Sequence, residues 1–395
     1  MKVTFYSNFL THHQLPFCLE MKKKLGDNFK FVSTVKIFQW RLDLGFENLD
    51  DKYDFVIKAY ENETEYHKAK QLALDSDVVI IGSTTDDLIV ERLKQDKITF
   101  RYRARVFIFP DGFWNTVLDI KKLKLFYDRH IKFRKNKNLY LLCANAYGPN
   151  DFNFLHLYKN KIYRWGYFLK TNIYDINHLI QQKENNKKIE IIWVARFIKC
   201  KHPEIVIKLA KNLKKQNYHF VIKMLGNGKL EEKIKRKIKK EHLEDVIEVV
   251  GHVPSDKVKD YMEKANIFIG TSDSQEAWGA VINESMNAGC AIVANERMGS
   301  VPILIKHREN GMIYHKYNQL ENSVKELIKS PDLRKKLSIN AYETITNEWT
   351  SQIAVENLIK LFTAIINGKE CEIKEGPASK ANNYIRKKAD IYDIK

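Results

Sequence analysis

The chain has 395 residues, 44% hydrophobic and 29% charged, which excludes a chain disordered throughout and, at roughly 100 to 200 residues per domain, favours two domains over one. Sixteen Gly, eight Pro and five Cys exclude collagen-like repeats, and cysteines that are odd in number, scattered and without a CxxC pair point away from a disulfide framework or structural zinc and toward a reducing cytoplasm. Lys and Arg total 67 against 49 acidic residues, a formal charge of +18, and so positive a field attracts phosphate in any form.

In chain order, the N-terminus MKVTFYSNF has no cleavable apolar region, and no window approaches the roughly 18 apolar residues of a membrane span, so the chain reads as neither exported nor spanning. Short apolar runs at 3–7, 29–35, 54–57, 77–82 and 139–144 alternate with charged amphipathic stretches, the rhythm of a parallel sheet covered by helices. The polar run QQKENNKK at 181–188 suggests the exit from a first domain over 1–180.

From Glu190 the alternation restarts: strand EIIWVA, a helix opening at Pro203, strand HFVIKML, a charged helix over 230–241, strand VIEVVG, a helix over 256–265, strand NIFIG, a helix over 280–287, strand CAIVAN, and helices near 318–329 and 331–347. This series predicts a doubly wound, nucleotide-binding sheet over 181–350. An amphipathic helix follows at 351–366, and 367–395 reads as a tail.

The segment SDSQEAWGAVINESMNAGCAIVANERMGSVP at 272–302 carries the densest chemistry. A helix starting near Gly279 turns the amides of Gly279, Ala280 and Val281 toward its positive end, where a phosphate can bind. Glu284 lies a turn further in, and its two oxygens can each accept a hydroxyl of a ribose. Glu276, ahead of the helix at the carboxyl ends of the strands, can hold a sugar hydroxyl or stabilise positive charge at an anomeric carbon. Taken alone, two such glutamates would more often be solvated caps of a short helix. Arg196 and Lys201 follow strand EIIWVA and point toward the same strand ends; a guanidinium fork and an ammonium there would neutralise a departing diphosphate. Surface lysine in a lysine-rich chain is the competing account of Lys201.

Together these segments resemble the donor half of the retaining glycosyltransferases of family 4, of GT-B fold. The phrases VARFIKCKHP, LGNGKL, VVGHVP, the E-x7-E pair Glu276 and Glu284, NAGCAIVAN and MGSVP follow the family order over roughly 190–350. The resemblance implies an α/β protein of two facing Rossmann-like domains, with the C-terminal helix packing back on the N-terminal one. It also implies that Glu284 binds the donor ribose, Arg196 and Lys201 the diphosphate, Glu276 the transferred sugar, and the backbone at His252 and Val253 the base. Three positions depart from the pattern: Ala277 and Ile303 stand where Gly and Glu are usual, and His202 with Pro203 replaces the common Gly after the Lys.

The N-terminal half resembles the family in outline. After its first strand comes NFLTHHQLP at 8–16, without glycine, and Asn8, His12, His13 and Gln14 are candidates for touching acceptor or donor hydroxyls, with a plain helix entrance as the alternative. The single D-x-D, Asp75-Ser76-Asp77, precedes an apolar strand and so sits at the end opposite the ligand crevice. No metal and no cofactor is expected, because cations and helix amides already answer the donor's charge. The stretch KKLKLFYDRHIKFRKNK at 121–137 sets eight basic residues among aromatic and aliphatic ones, which suits either an anionic membrane surface or a packed helix with a solvated basic face.

The expected function is a cytoplasmic, metal-independent retaining transferase, peripheral on the membrane through Lys121 to Lys137. It would move a sugar from a nucleotide-diphosphate donor to a saccharide or lipid-linked saccharide in surface polysaccharide synthesis. A GT-B epimerase or hydrolase of nucleotide sugars is an alternative, as is a basic protein binding nucleic acid or an anionic surface. Against nucleic acid, no recognition helix or aromatic RNA-binding strand is present.

Overall fold

The computed structural model describes residues 1–43, 47–82, 87–103, 124 and 126–384. The chain forms two compact units: Met1–Lys170 joined by the described residues from Trp349 onward, and Thr171–Glu348. The division falls ahead of residue 180, because the helix Ile176–Glu184 packs within the second unit, against the helix Pro331–Asn347.

The first unit is built on β1 (Val3–Ser7), β2 (Phe29–Ser33), β3 (Val56–Lys58), β4 (Val78–Ile81), β5 (Thr99–Arg103), β6 (Leu139–Cys143) and β7 (Ile162–Arg164). They pair in parallel in the order β3-β2-β1-β4-β5-β6-β7. Strands covered on both faces need apolar side chains on both, and β1 and β4 are buried along their whole length. The helix Ser351–Ile366 belongs to this unit and packs on the helix Leu15–Leu25, with Phe362 against Phe100 at 4.9 Å.

The residues after that helix are not a loose tail throughout. Arg164 exchanges backbone hydrogen bonds with Ala378 and Ser379, both 2.8 Å, and Ala381 donates to Ile162, so residues 378–381 run antiparallel along β7 and cover the sheet edge that would otherwise be left unpaired. Residues 385–395 lie outside the described residues.

The second unit carries β8 (Ile189–Val194), β9 (Phe220–Leu225), β10 (Ile247–Gly251), β11 (Ile267–Gly270), β12 (Ala291–Asn295) and β13 (Met312–Tyr314). All are parallel, in the order β10-β9-β8-β11-β12-β13. The chain steps outward from β8 to β10, then returns to lay β11 on the other side of β8. Connections leaving β8 and β11 therefore depart to opposite faces and open a crevice at the carboxyl ends of these two strands. The helix Pro203–Lys215 shows how the sequence produces the layer: Ile205, Val206, Leu209, Ala210 and Leu213 recur at helical spacing and are buried, while its lysines stay outside. The charged helix Glu231–Lys240 does the same with Ile234 and Ile238, its outer face laced by the Lys235–Glu231 pair at 2.7 Å.

Among the described residues no helix is long and apolar enough to cross a membrane. In the basic stretch Lys121–Lys137, residues 121–123 and 125 lie outside the described residues. Of the aromatic groups that follow, Phe133 is buried in one apolar cluster and Phe126 packs against another, around Leu141 and Phe152, leaving Tyr127 exposed.

Candidate functional site

Two of the residues singled out in the sequence, Lys201 and Glu276, meet beyond the ends of β8 and β11, and Arg196 is close enough to act on Lys201. β8 ends at Val194, and the chain then turns sharply through Ala195, Arg196 and Phe197. What holds this turn is the Gly226-Asn227-Gly228 segment that follows β9. Phe197 donates to the Asn227 carbonyl at 2.7 Å and accepts from Leu230, while Gly226 donates to Gly251 at the end of β10. Gly226 and Gly228 have φ of 124° and 150°, and a Cβ on either would fall 2.1 Å from the Ala195 oxygen or 2.7 Å from the Phe197 oxygen. Glycine is required there by both backbone conformation and space, and the approach it permits fixes the base of Arg196. Arg196 itself is exposed, and no described residue pairs with its guanidinium.

Lys201 ends the short turn Lys199–Lys201, and its carbonyl accepts from Thr271 Oγ1 across the crevice. Thr271 in turn accepts from the buried Trp193 indole at 2.8 Å. The Lys201 ammonium contacts the Glu276 carboxylate, both side chains less than a fifth exposed. Burial draws the ammonium down from its usual value and Arg196 adds to this, whereas contact with Glu276 acts in the opposite sense. One of the two cations assigned to diphosphate is thus already engaged by the carboxylate assigned to the sugar.

The loop bearing Glu276 is tightly built. The Glu276 N–H donates to Asp273 O at 3.0 Å, Gly299 donates to the Glu276 carbonyl, and Asp273 N–H reaches Cys200 O at 3.0 Å. The helix Ala280–Asn287 starts from Gly279, whose φ of 87° is left-handed and whose missing Cβ leaves room for Met298. Gly279, Ala280 and Val281 therefore stand at the positive end of that helix. Trp278, buried, donates to Asn283 at 2.9 Å and pins the first turn.

Glu284 lies in this helix with its side chain open to water. The protein around it pushes its carboxyl up to about 7, a rise that the water reaching it tempers. No described residue bonds its carboxylate, which leaves both oxygens available as acceptors. His252 and Val253, by contrast, line a separate cavity of about 550 Å³ with Lys223, Lys257, Tyr261 and Lys264; none of Arg196, Lys201, Glu276 or Glu284 borders it.

Asn8, His12, His13 and Gln14 lie in the other unit, in the loop from β1 to the helix Leu15–Leu25. Gln14 is spent within that loop: it donates to Ser7 Oγ at 3.1 Å and accepts from both the N–H and the hydroxyl of Thr11. Asn8 accepts from Ser7 Oγ at 3.2 Å. The His12 and His13 rings lie 3.8 Å apart, with Tyr167 5.3 Å from His13. Burial, His12 and Arg41 push His13 down to about 3, and burial with Arg41 lowers His12, so the pair is neutral near pH 7. In the Asp75-Ser76-Asp77 segment, Asp77 accepts from the Lys2 N–H at 2.7 Å and Ser76 bonds Thr4 at 2.7 Å, all at the amino ends of β1 and β4. Among the described residues no three His, Cys, Asp or Glu side chains form a metal-binding group.

His202 was not singled out as a functional residue in the sequence. It follows Lys201 with φ 49°, and its ring lies between Glu204 and Asp273. The available signal was His202 with Pro203 standing where the resembled family commonly has Gly after the Lys.

Residues 176–344, within the second unit, match the family described as Glycosyl transferases group 1. The chain is 29% identical over 133 residues to the amylovoran biosynthesis glycosyltransferase AmsK of Erwinia amylovora, 32% of each chain; the match thus spans about a third of that relative's length. Among solved structures, HepE of Anabaena, in complex with UDP, aligns over 93% of this chain and 100% of its own with a TM-score of 0.65 and 16% identity. A glycosyltransferase from Rickettsia africae gives 0.65 and 16% over 93% and 99%. At these identities the likeness shows the fold, which is GT-B.

Proposed function

We propose that the protein is a glycosyltransferase that moves a sugar from a nucleotide-diphosphate donor to a saccharide or lipid-linked saccharide, with retention at the anomeric carbon, in surface polysaccharide synthesis. The observation that carries this reading is the Lys201–Glu276 contact beyond the ends of β8 and β11, with Arg196 acting on Lys201 and the exposed Glu284 on the helix that follows β11. Glu284 accepts the two ribose hydroxyls. Arg196, Lys201 and the first-turn amides of the helix Ala280–Asn287 face the diphosphate. As the bond from anomeric carbon to phosphate oxygen breaks, negative charge grows on the leaving diphosphate, and these preorganised cations stabilise it without reorganising. The acceptor oxygen bonds the anomeric carbon on the face the diphosphate leaves, and its proton passes to a phosphate oxygen. Glu276, released from Lys201 as the diphosphate binds, holds the transferred sugar. Because the chain's own cations meet the charge, the reading requires no metal.

The assignment to surface glycans is supported by AmsK, named for amylovoran biosynthesis, and a nucleoside-diphosphate donor by the UDP bound to HepE. Five free cysteines, three of them buried, suit a cytoplasmic enzyme. Association with an anionic membrane through Lys121 to Lys137 rests on charge alone, since Phe126 and Phe133 face the core.

Thermal shift against UDP, GDP, ADP and CMP sugars tests the donor. One base class should raise the melting temperature and Glu284→Ala should abolish the response; a variant that responds as strongly as the wild type removes Glu284 from the ribose. Product analysis with and without a saccharide acceptor then separates transfer from hydrolysis or epimerisation.

A further inference from the structure

His202 stands between the two loops that form the crevice. Its backbone is left-handed, φ 49°, a conformation unfavourable for a non-glycine residue. Its ring makes use of that placement. Nδ1 lies 3.1 Å from Glu204 Oε1, on the helix Pro203–Lys215, and Nε2 lies 3.0 Å from Asp273 Oδ2, on the loop after β11. An ionised carboxylate only accepts, so a carboxylate at each ring nitrogen requires a proton on both. A neutral imidazole would turn one lone pair toward a carboxylate.

Asp273 leads directly to the Lys201–Glu276 pair. Its carbonyl accepts the Glu276 N–H at 3.0 Å and its own N–H donates to Cys200 O at 3.0 Å. With Thr271 donating to the Lys201 carbonyl, several links join the two loops, and two of them, the Lys201–Glu276 contact and the His202 bridge, are made by titrating cations. We infer that the His202 imidazolium is a positioning strap: it ties the loop after β11 to the turn after β8 and so holds Glu276 and Lys201 in register for the donor diphosphate. The bearing of the strap on transfer rests on the function proposed above; the strap itself does not.

The charges around the ring support the same state. Burial alone would lower His202, but the bonds to Asp273 and Glu204 outweigh it and push the imidazole up to about 9. Glu204, despite its burial, is held below the usual carboxylate value by His202, with Lys237 of the helix Glu231–Lys240 contributing. On the other side Lys201 lies within the field of Asp273. Two anions facing the ring thus meet one ring cation and two neighbouring ammonium groups.

Three measurements on the full chain test the strap. In protein labelled with 13C at histidine Cε1, the resonance that disappears in His202→Asn should titrate with a midpoint near 9; a midpoint at or below 7 overturns the inference. Asp273→Asn should lower the melting temperature at pH 7.5 and leave it unchanged at pH 10, where the ring is neutral; an equal loss at both overturns it too. Affinity for the nucleoside diphosphate that stabilises the protein, followed from pH 7.5 to 10, should fall at least fivefold more in the wild type than in His202→Asn, which retains the Lys201 limb. His202→Lys should restore most of the affinity at pH 8. Equal pH profiles for wild type and His202→Asn remove the positioning role even with a charged ring. If no nucleoside diphosphate binds at all, the donor-site reading fails, and the resonance and the Asp273→Asn melts still decide the strap.

Discussion

The Lys201 ammonium touches the Glu276 carboxylate across the gap between the ends of β8 and β11. A cation and an anion proposed to serve different parts of one substrate are each other's partner before it arrives. On the proposed function, donor binding exchanges this ion pair for a contact between Lys201 and diphosphate, which would tie occupancy of the phosphate site to release of Glu276.

Replacing Glu276 by Gln should therefore act in opposite directions on binding and turnover. Nucleoside diphosphate affinity by calorimetry rises severalfold, because Lys201 no longer has to leave a carboxylate. Turnover falls by about 10²–10³, the usual cost of losing one preorganised group at a reacting centre. Parallel losses in both would mean that Glu276 serves only to hold Lys201.

Gly226 and Gly251 offer a paired test of the turn beneath Arg196. Both have positive φ, 124° and 83°, but a Cβ on Gly226 meets the Ala195 carbonyl at 2.1 Å whereas one on Gly251 meets nothing within 4 Å. Gly251→Ala should cost about 1–2 kcal/mol, the backbone term alone. Gly226→Ala adds a clash with backbone and should cost about 3 kcal/mol or more, measured by urea unfolding, with loss of donor binding through displacement of Arg196.

Glu284 gives a pH signature. Its folded carboxyl is pushed above the ordinary value to about 7, so the protonated form is the one folding favours. That contribution to stability is complete below about pH 4.5 and is lost as pH rises through 7. Glu284→Gln should thus leave melting at pH 4.5 unchanged and stabilise the protein at pH 8, by less than about 1 kcal/mol given the water that reaches the side chain. In the same window, affinity for the nucleotide sugar should fall on acidification from 8 to 6 in the wild type, as a carboxylate accepting two hydroxyls is replaced by a carboxyl that accepts less well. The Gln variant should bind weakly and without that slope.

Lys183 anchors the framework behind the site. Its ammonium is buried and donates to the carbonyls of Met262, Ala288 and Gly289, at 3.2, 2.6 and 2.9 Å, which close the helices Ser255–Met262 and Ala280–Asn287. Lys183→Met keeps the volume and removes the donor to the Ala288 and Gly289 carbonyls, while Met262 keeps the Ala265 N–H and the Cys290 thiol. A loss of about 2–4 kcal/mol in urea unfolding is expected, with donor affinity reduced because the second helix carries Glu284.

The alternation of apolar runs with amphipathic stretches determined five of the seven strands of the first sheet and five of the six of the second, leaving β5, β7 and β13 unread, since a strand covered on two faces must be apolar throughout and a covering helix apolar on one. Chain order and the right-handed crossover then brought the loops after β8 and β11 to one crevice, which is why Arg196, Lys201, Glu276 and Glu284 could be singled out. Gly226 and Gly228 were legible as part of the LGNGKL phrase of the resembled family and Gly279 as a helix start; their positive φ and the lack of room for a Cβ were decided by the fold. Pairing depended on distance in three dimensions. That Lys201 meets Glu276, that Gln14 is consumed by Thr11 and Ser7, that residues 378–381 close the edge at β7, and that His202 bridges Glu204 and Asp273 were decided by tertiary structure. Such contacts join groups far apart in the chain or turn on a single backbone angle, and local pattern carries no information about either.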